Sequence, residues 1–141
     1  MTKINWRRVV LGGFLWVVVF NVLWLSVWFL FLRSGWRSAL AAPGRTFPPT
    51  LESLVIWLLL TLVGGIIAIW LYAAIRPRYG AGPRTAAYAG FAIWLMSGLG
   101  PTLWLAHIVS LPLELVAGTV VSGLVADVVA TVAGAWPYTE G

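Results

Sequence analysis

Four stretches of the chain, Val9 to Leu32, Leu54 to Ile75, Ala86 to about Leu105 and Pro112 to Trp136, are almost free of charged side chains. A helix of about 20 apolar residues crosses the hydrocarbon of a bilayer, and each stretch reaches that length. The spacing therefore predicts four membrane-crossing helices joined by short connections. Composition agrees, because 61% hydrophobic and 9% charged residues leave too little polar material to coat a water-soluble domain. A closed β-barrel is the other way to satisfy backbone groups in lipid. Its strands alternate polar and apolar over about ten residues, and no stretch here alternates. The expected architecture is an all-α membrane protein, a four-transmembrane-helix bundle forming one membrane domain over residues 1–141, with helices at about 9–32, 54–75, 86–105 and 112–136.

The borders carry punctuation. Lys3, Arg7 and Arg8 before the first run, and Ala39-Leu40-Ala41 after it, imitate a secretory signal and its cleavage site. The apolar core is longer than the 7–15 residues of a signal, and Arg33 and Arg37 separate it from the small residues, so the segment reads as a retained anchor. The second run is entered through Pro48-Pro49-Thr50, with Thr50 suited to an N-cap and Glu52 to a helix N-terminus. It is left at Arg76-Pro77-Arg78, where Pro77 is expected to end the helix. Tyr79-Gly80-Ala81-Gly82-Pro83 reads as a turn. Gly98-Leu99-Gly100-Pro101 reads as an interruption late in the third run.

The nine Lys and Arg, which give the chain a net charge of +5, lie between the apolar runs and act as topology signals and lipid-phosphate contacts rather than a nucleic-acid surface. Lys3, Arg7 and Arg8 precede the first run; Arg33, Arg37 and Arg45 follow it; Arg76, Arg78 and Arg84 flank the second turn; none comes later. The basic side of a membrane protein faces the cytoplasm, which puts both termini and the second turn there. The three Arg of the first loop then lie outside, with Gly35-Trp36-Arg37-Ser38-Ala39-Leu40 expected flat at the interface.

Within the runs, a few residues stand out as candidates. Gly118, Ser122, Ala126, Ala130 and Gly134 recur every four residues in the fourth run, a stripe of small side chains that admits a close neighbouring helix. The second run offers a matching patch at Gly64, Gly65 and Ala68, and the alternative partner is another subunit or a second copy of the chain. Ten Trp divide into two groups. Trp6, Trp36, Trp104 and Trp136 fall at the borders and fit an aromatic belt. Trp16, Phe20, Trp24, Trp28 and Phe31 form a helical stripe, suited either to packing or to stacking on a flat pigment, quinone or lipid tail; Trp24 and Trp28 are the candidate contacts. Asn21 is expected to point inward and bond a neighbouring helix. Asp127 falls deep in the fourth run, where a carboxylate must be protonated, paired or wetted, and is the candidate ion or proton site. His107, the only histidine, is a candidate ligand to a tetrapyrrole metal or simply an interfacial side chain. Glu114 suits the first turn of the fourth helix.

With no cysteine, the chain has no thiolate chemistry. It carries no HExxH, Walker or GxSxG pattern, so an enzyme is not expected. The segment Ile69-Trp70-Leu71-Tyr72-Ala73-Ala74-Ile75-Arg76-Pro77-Arg78-Tyr79-Gly80-Ala81-Gly82-Pro83-Arg84-Thr85-Ala86 resembles one found in small, uncharacterised four-span bacterial membrane proteins. The resemblance implies a bacterial inner-membrane protein of this architecture and brings no functional residue with it. Three readings follow. The first is a non-catalytic accessory subunit packing against other transmembrane helices. The second is a small oligomeric transporter or channel using Asp127 and Asn21. The third is a pigment- or haem-contacting subunit of a respiratory or photosynthetic complex. Lipid is the expected bound molecule in all three, with no resident cofactor predicted.

Overall fold

The computed structural model describes residues 3–41 and 50–139. Among them all regular structure is helical. Four helices, α1 (Trp6–Ala39), α2 (Leu51–Tyr79), α3 (Pro83–Val109) and α4 (Leu113–Ala135), are each long and apolar enough to cross a bilayer. Arg45, Pro48, Pro49 and Glu140 lie outside the described residues.

Each helix starts and stops for local reasons. The Asn5 side chain accepts from the Arg8 N–H at 3.3 Å and opens α1; Thr50 Oγ1 accepts from the Ser53 N–H at 3.3 Å and opens α2. Pro77 does not end α2 as expected, since the helix runs through it to Tyr79. So close to the C-terminus a proline removes only one intrahelical bond, and the Gly80 N–H still closes on the Arg76 carbonyl at 2.8 Å. Gly80 (φ 86°) and Gly82 (φ 135°) then reverse the chain in backbone regions open to glycine. Pro83 follows at the first position of α3, where its missing N–H has no partner to lose.

The expected break at Gly98–Pro101 is instead a wide turn inside a continuous helix. Pro101 cannot donate to the carbonyl four residues back, and its ring crowds that carbonyl. The helix accommodates this as a π turn over Trp94–Leu99, in which the Gly100 N–H reaches five residues back to Leu95, and α3 continues to Val109. A second π turn, Trp28–Leu32, carries α1 past its expected end to Ala39. The Gly35–Leu40 segment is thus not a strip apart from the bundle. Gly35 sits against Leu115, and Trp36 Nε1 donates to Thr119 Oγ1 at 3.1 Å.

The helices form a ring in which α1 packs on α2 and α4, and α3 packs on α4 and α2. One end gathers the start of α1, the α2–α3 turn and the residues that follow α4. There the Asn5 N–H donates to Tyr138 Oη at 3.3 Å, Arg8 Nη1 donates to the Pro137 carbonyl at 3.3 Å, and the Gly82 N–H donates to Tyr72 Oη at 3.3 Å.

Glycines set the closest approaches. A Cβ on Gly134 would stand 2.6 Å from the Gly12 carbonyl oxygen, one on Gly65 2.7 Å from that of Gly13, and one on Gly90 2.9 Å from Val128 Cα. The small stripe of α4, expected against the Gly64-Gly65-Ala68 patch of α2, is shared between α1 and α2: a Cβ on Gly134 would also stand 2.8 Å from Ile69 Cδ1, and Ala68, Ala126 and Ala130 lie in one buried core. Gly134 packs on α1, Gly118 faces Leu32 of α1, and Gly65 also turns to α1, whose Gly12-Gly13 pair serves both neighbours. Four residues advance the helix by about 400°, so the stripe winds around α4; Ala126 and Ala130 are fully buried in the shared core while Ser122 is half-buried.

Candidate functional site

Along Pro83–Ile93, α3 packs on both α2 and α4; from Trp94 onward it keeps α4 and leaves α2. The π turn marks this parting. Between the separated helices lies a cavity of about 680 Å³, a volume typical of small-molecule sites. Leu60 of α2 and Met96 of α3, both largely exposed, line it from either side of that gap and form its mouth. Inside, α1 contributes Trp16, Phe20, Trp24 and Trp36, and α2 contributes Trp57, Thr61 and Gly64. Ser97, Gly98 and Thr102 come from α3, and Thr119, Gly123 and Asp127 from α4.

Helical periodicity builds the aromatic wall. Residues four apart share a face, so Trp16, Phe20 and Trp24 stack in a column. Trp16 and Phe20 have ring centroids 4.5 Å apart at 8°, Phe20 and Trp24 6.3 Å at 8°, and Trp57 of α2 leans on Phe20 at 6.4 Å. On α4 the same spacing aligns Gly123, Asp127 and Thr131. Trp24 lies beside Gly123, its ring 3.8 Å from where a Cβ would stand, and Trp16 Nε1 donates to Thr131 Oγ1 at 3.0 Å. Asp127, one turn from each, is consequently set at the height of Phe20, between the two Trp.

The polar groups around the cavity are mostly committed elsewhere. Trp57 Nε1 donates to Asn21 Oδ1 at 2.8 Å, and Asn21 Nδ2 donates to the Val17 carbonyl at 2.9 Å and Thr61 Oγ1 at 3.4 Å. The hydroxyls of Thr61, Ser97 and Thr119 donate to carbonyls of their own helices. Asp127 is only 4% exposed, and among the described residues no hydrogen bond or ion pair reaches its carboxylate. It is the one charged side chain among those lining the cavity.

The other candidates fall in several places. Asn21 ties α1 to α2 through Thr61 and Trp57. Trp24 lines the cavity; Trp28, expected beside it, does not, because the π turn that starts there swings it against Phe29, edge-on at 5.3 Å. Trp36, expected in a border belt, also faces the cavity, whereas Trp6, Trp104 and Trp136 are exposed. His107 sits on the last turn of α3 rather than in the loop, exposed and away from the cavity, and no group of three or more His, Asp or Glu among the described residues can hold a metal ion. Glu114 is exposed in the first turn of α4. Arg7, Arg8, Arg76, Arg78 and Arg84 gather at the end that holds the start of α1 and the α2–α3 turn. Arg76 lies over the Tyr138 ring at 5.5 Å, and Arg84 Nε donates to Tyr88 Oη at 2.9 Å. Sequence reasoning overlooked Gly12, Gly13, Gly90, Thr61 and Thr131. The glycine pair was visible as the only small residues early in a bulky run; the threonines carried no signal.

The fold and site thus define an all-helical protein with four helices able to cross a bilayer and one buried carboxylate in an aromatic cavity. Comparison with protein-family models, curated proteins and solved structures found no match to this chain.

Proposed function

We propose that the protein is a multi-pass protein of a bacterial inner membrane that takes up a small ligand at the Asp127 cavity and serves as a carrier or channel for it. Both termini and the α2–α3 turn face the cytoplasm, as the gathering of Arg7, Arg8, Arg76, Arg78 and Arg84 at one end supports. The observation that carries the reading is a buried carboxylate without a protein partner, turned into a cavity large enough for a ligand. A membrane-embedded acid of this kind marks a substrate or ion path by default. The mouth between Leu60 and Met96 opens sideways into lipid, so the ligand enters from the bilayer. The role is non-catalytic, since one carboxylate supplies no base and nucleophile together.

The accessory-subunit reading draws less from the molecule. The stripe that would recruit a partner helix is largely taken up within the bundle, by α1 at Gly118, by α1 and α2 at Gly134 and by the shared core at Ala126 and Ala130, and the remaining bulky faces suit acyl chains. For the tetrapyrrole reading, His107 lies away from the aromatic cavity.

Native mass spectrometry of the protein purified in mild detergent tests the proposal. The wild type should release a small molecule that Gly123→Leu, which extends a side chain into the cavity, does not carry. Identical bound complements in the two proteins would refute it.

A further inference from the structure

The chemistry of the cavity selects among ligands, on the reading that it is a binding site at all. We propose that it binds a lipophilic organic cation, an ammonium or phosphonium bearing aromatic or bulky alkyl groups, with its charge at Asp127 and its apolar groups among Trp16, Phe20, Trp24 and Trp57.

Other classes of ligand fit this set of side chains poorly. An anion meets a single carboxylate and no Lys, Arg or His on the lining. A hard metal cation asks for six or more oxygen ligands. Here Asp127 and the hydroxyls of Thr61, Ser97, Thr102 and Thr119 are the side-chain oxygens on the lining, three of those hydroxyls already donate to their own helices, and the opposite wall is aromatic. A compact, strongly hydrated amine would surrender its water to rings that cannot replace it. A neutral apolar guest would leave Asp127 protonated and make no use of it. A diffuse cation fits both halves, because its weak hydration is easily lost and its aromatic or alkyl groups pack against the column of Trp16, Phe20 and Trp24. The α4 spacing brings the halves together: Gly123 and Thr131, one turn either side of Asp127, touch Trp24 and Trp16, and Phe20 stacks between those two rings.

Tetraphenylphosphonium and tetraphenylborate, alike in shape and opposite in charge, provide the test. The protein is reconstituted in zwitterionic nanodiscs and its tryptophan emission followed during titration, with empty nanodiscs as blank. Wild type should show saturable quenching by the phosphonium and none by the borate. Asp127→Asn, which removes charge without removing a protein contact, should weaken phosphonium binding by about tenfold or more, and Asp127→Glu should retain much of it. Gly123→Leu should abolish it. Suppose both ions bind alike, Gly123→Leu blocks both, and Asp127→Asn changes neither: the cation assignment then falls while the ligand cavity stands. Absence of saturable binding by either ion overturns the cation assignment, and with the mass-spectrometric result unchanged between wild type and Gly123→Leu the cavity reading falls as well. Circular dichroism confirms that each variant keeps its helices.

Discussion

The contact between Asn21 and Trp57 lends itself to a double-mutant cycle. Asn21→Leu keeps the volume and removes the acceptor; Trp57→Phe keeps a ring against Phe20 and removes the donor. Each single change also alters packing or strands a partner, so only the non-additive part reports the bond. The Trp57 Nε1 to Asn21 Oδ1 distance is 2.8 Å and the Asn21 side chain is 9% exposed. Hydrogen bonds between helices in bilayers average about 0.6 kcal/mol with an upper limit near 1.7 kcal/mol. A short, shielded bond should lie above the average, and we expect a coupling of about 1 kcal/mol, or roughly fivefold in the unfolding constant. The measurement is reversible unfolding in bicelles followed by circular dichroism, since fluorescence changes with Trp57 itself. The 3.4 Å contact of Asn21 Nδ2 to Thr61 should couple less. A coupling within about 0.3 kcal/mol of zero for Asn21 and Trp57 would refute the assignment of this bond as the α1–α2 tie.

Further outcomes follow from other contacts. Gly90→Val should destabilise the bundle by about 1–3 kcal/mol, because its side chain meets the α4 backbone at Asp127 and Val128 at 2.9 Å; denaturant titration in the same bicelles reads it. Trp16→Phe should cost more than about 1 kcal/mol, the lost bond to Thr131 adding to the lost packing of a buried ring, and Thr131→Val should cost about 1–3 kcal/mol by leaving a buried indole N–H unpaired. Pro101→Ala restores the missing amide and should relax the π turn, which hydrogen exchange would report as a newly protected N–H at position 101. With no native cysteine, single substitutions at Ala81, Thr139 and Leu40 can be labelled cleanly in intact cells. The first two should resist an impermeant reagent and the third should react; the reverse pattern would overturn the orientation.

The four helices were legible because unbroken apolar length is a property of composition that tertiary contacts barely modify. Their ends were less so. Pro77 and Pro101 were expected to stop or interrupt helices, yet a proline near a C-terminus forfeits one bond, and a π turn absorbs a proline inside. Asp127 and Asn21 stood out by polarity alone. The cavity around Asp127 did not, because it depends on where α3 leaves α2, and no local pattern encodes a parting between two helices. The surroundings of the α4 stripe were legible only in part for a similar reason: small residues reveal that a close approach exists, but the winding of the helix and the glycines of α1 bring in a second neighbour beside α2.

The abutment of Gly12 with Gly134 joins the beginning of the chain to its end. Synthesis makes α1 before α4, so until α4 exists Gly12 lacks its neighbour and the inward asparagine of α1 is answered only by α2. The ring can close only once α4 has been made, when Gly134 meets Gly12 and Tyr138 reaches Asn5. Truncation of even the last two turns of α4 should thus leave not a smaller bundle but an open one, exposed to membrane quality control.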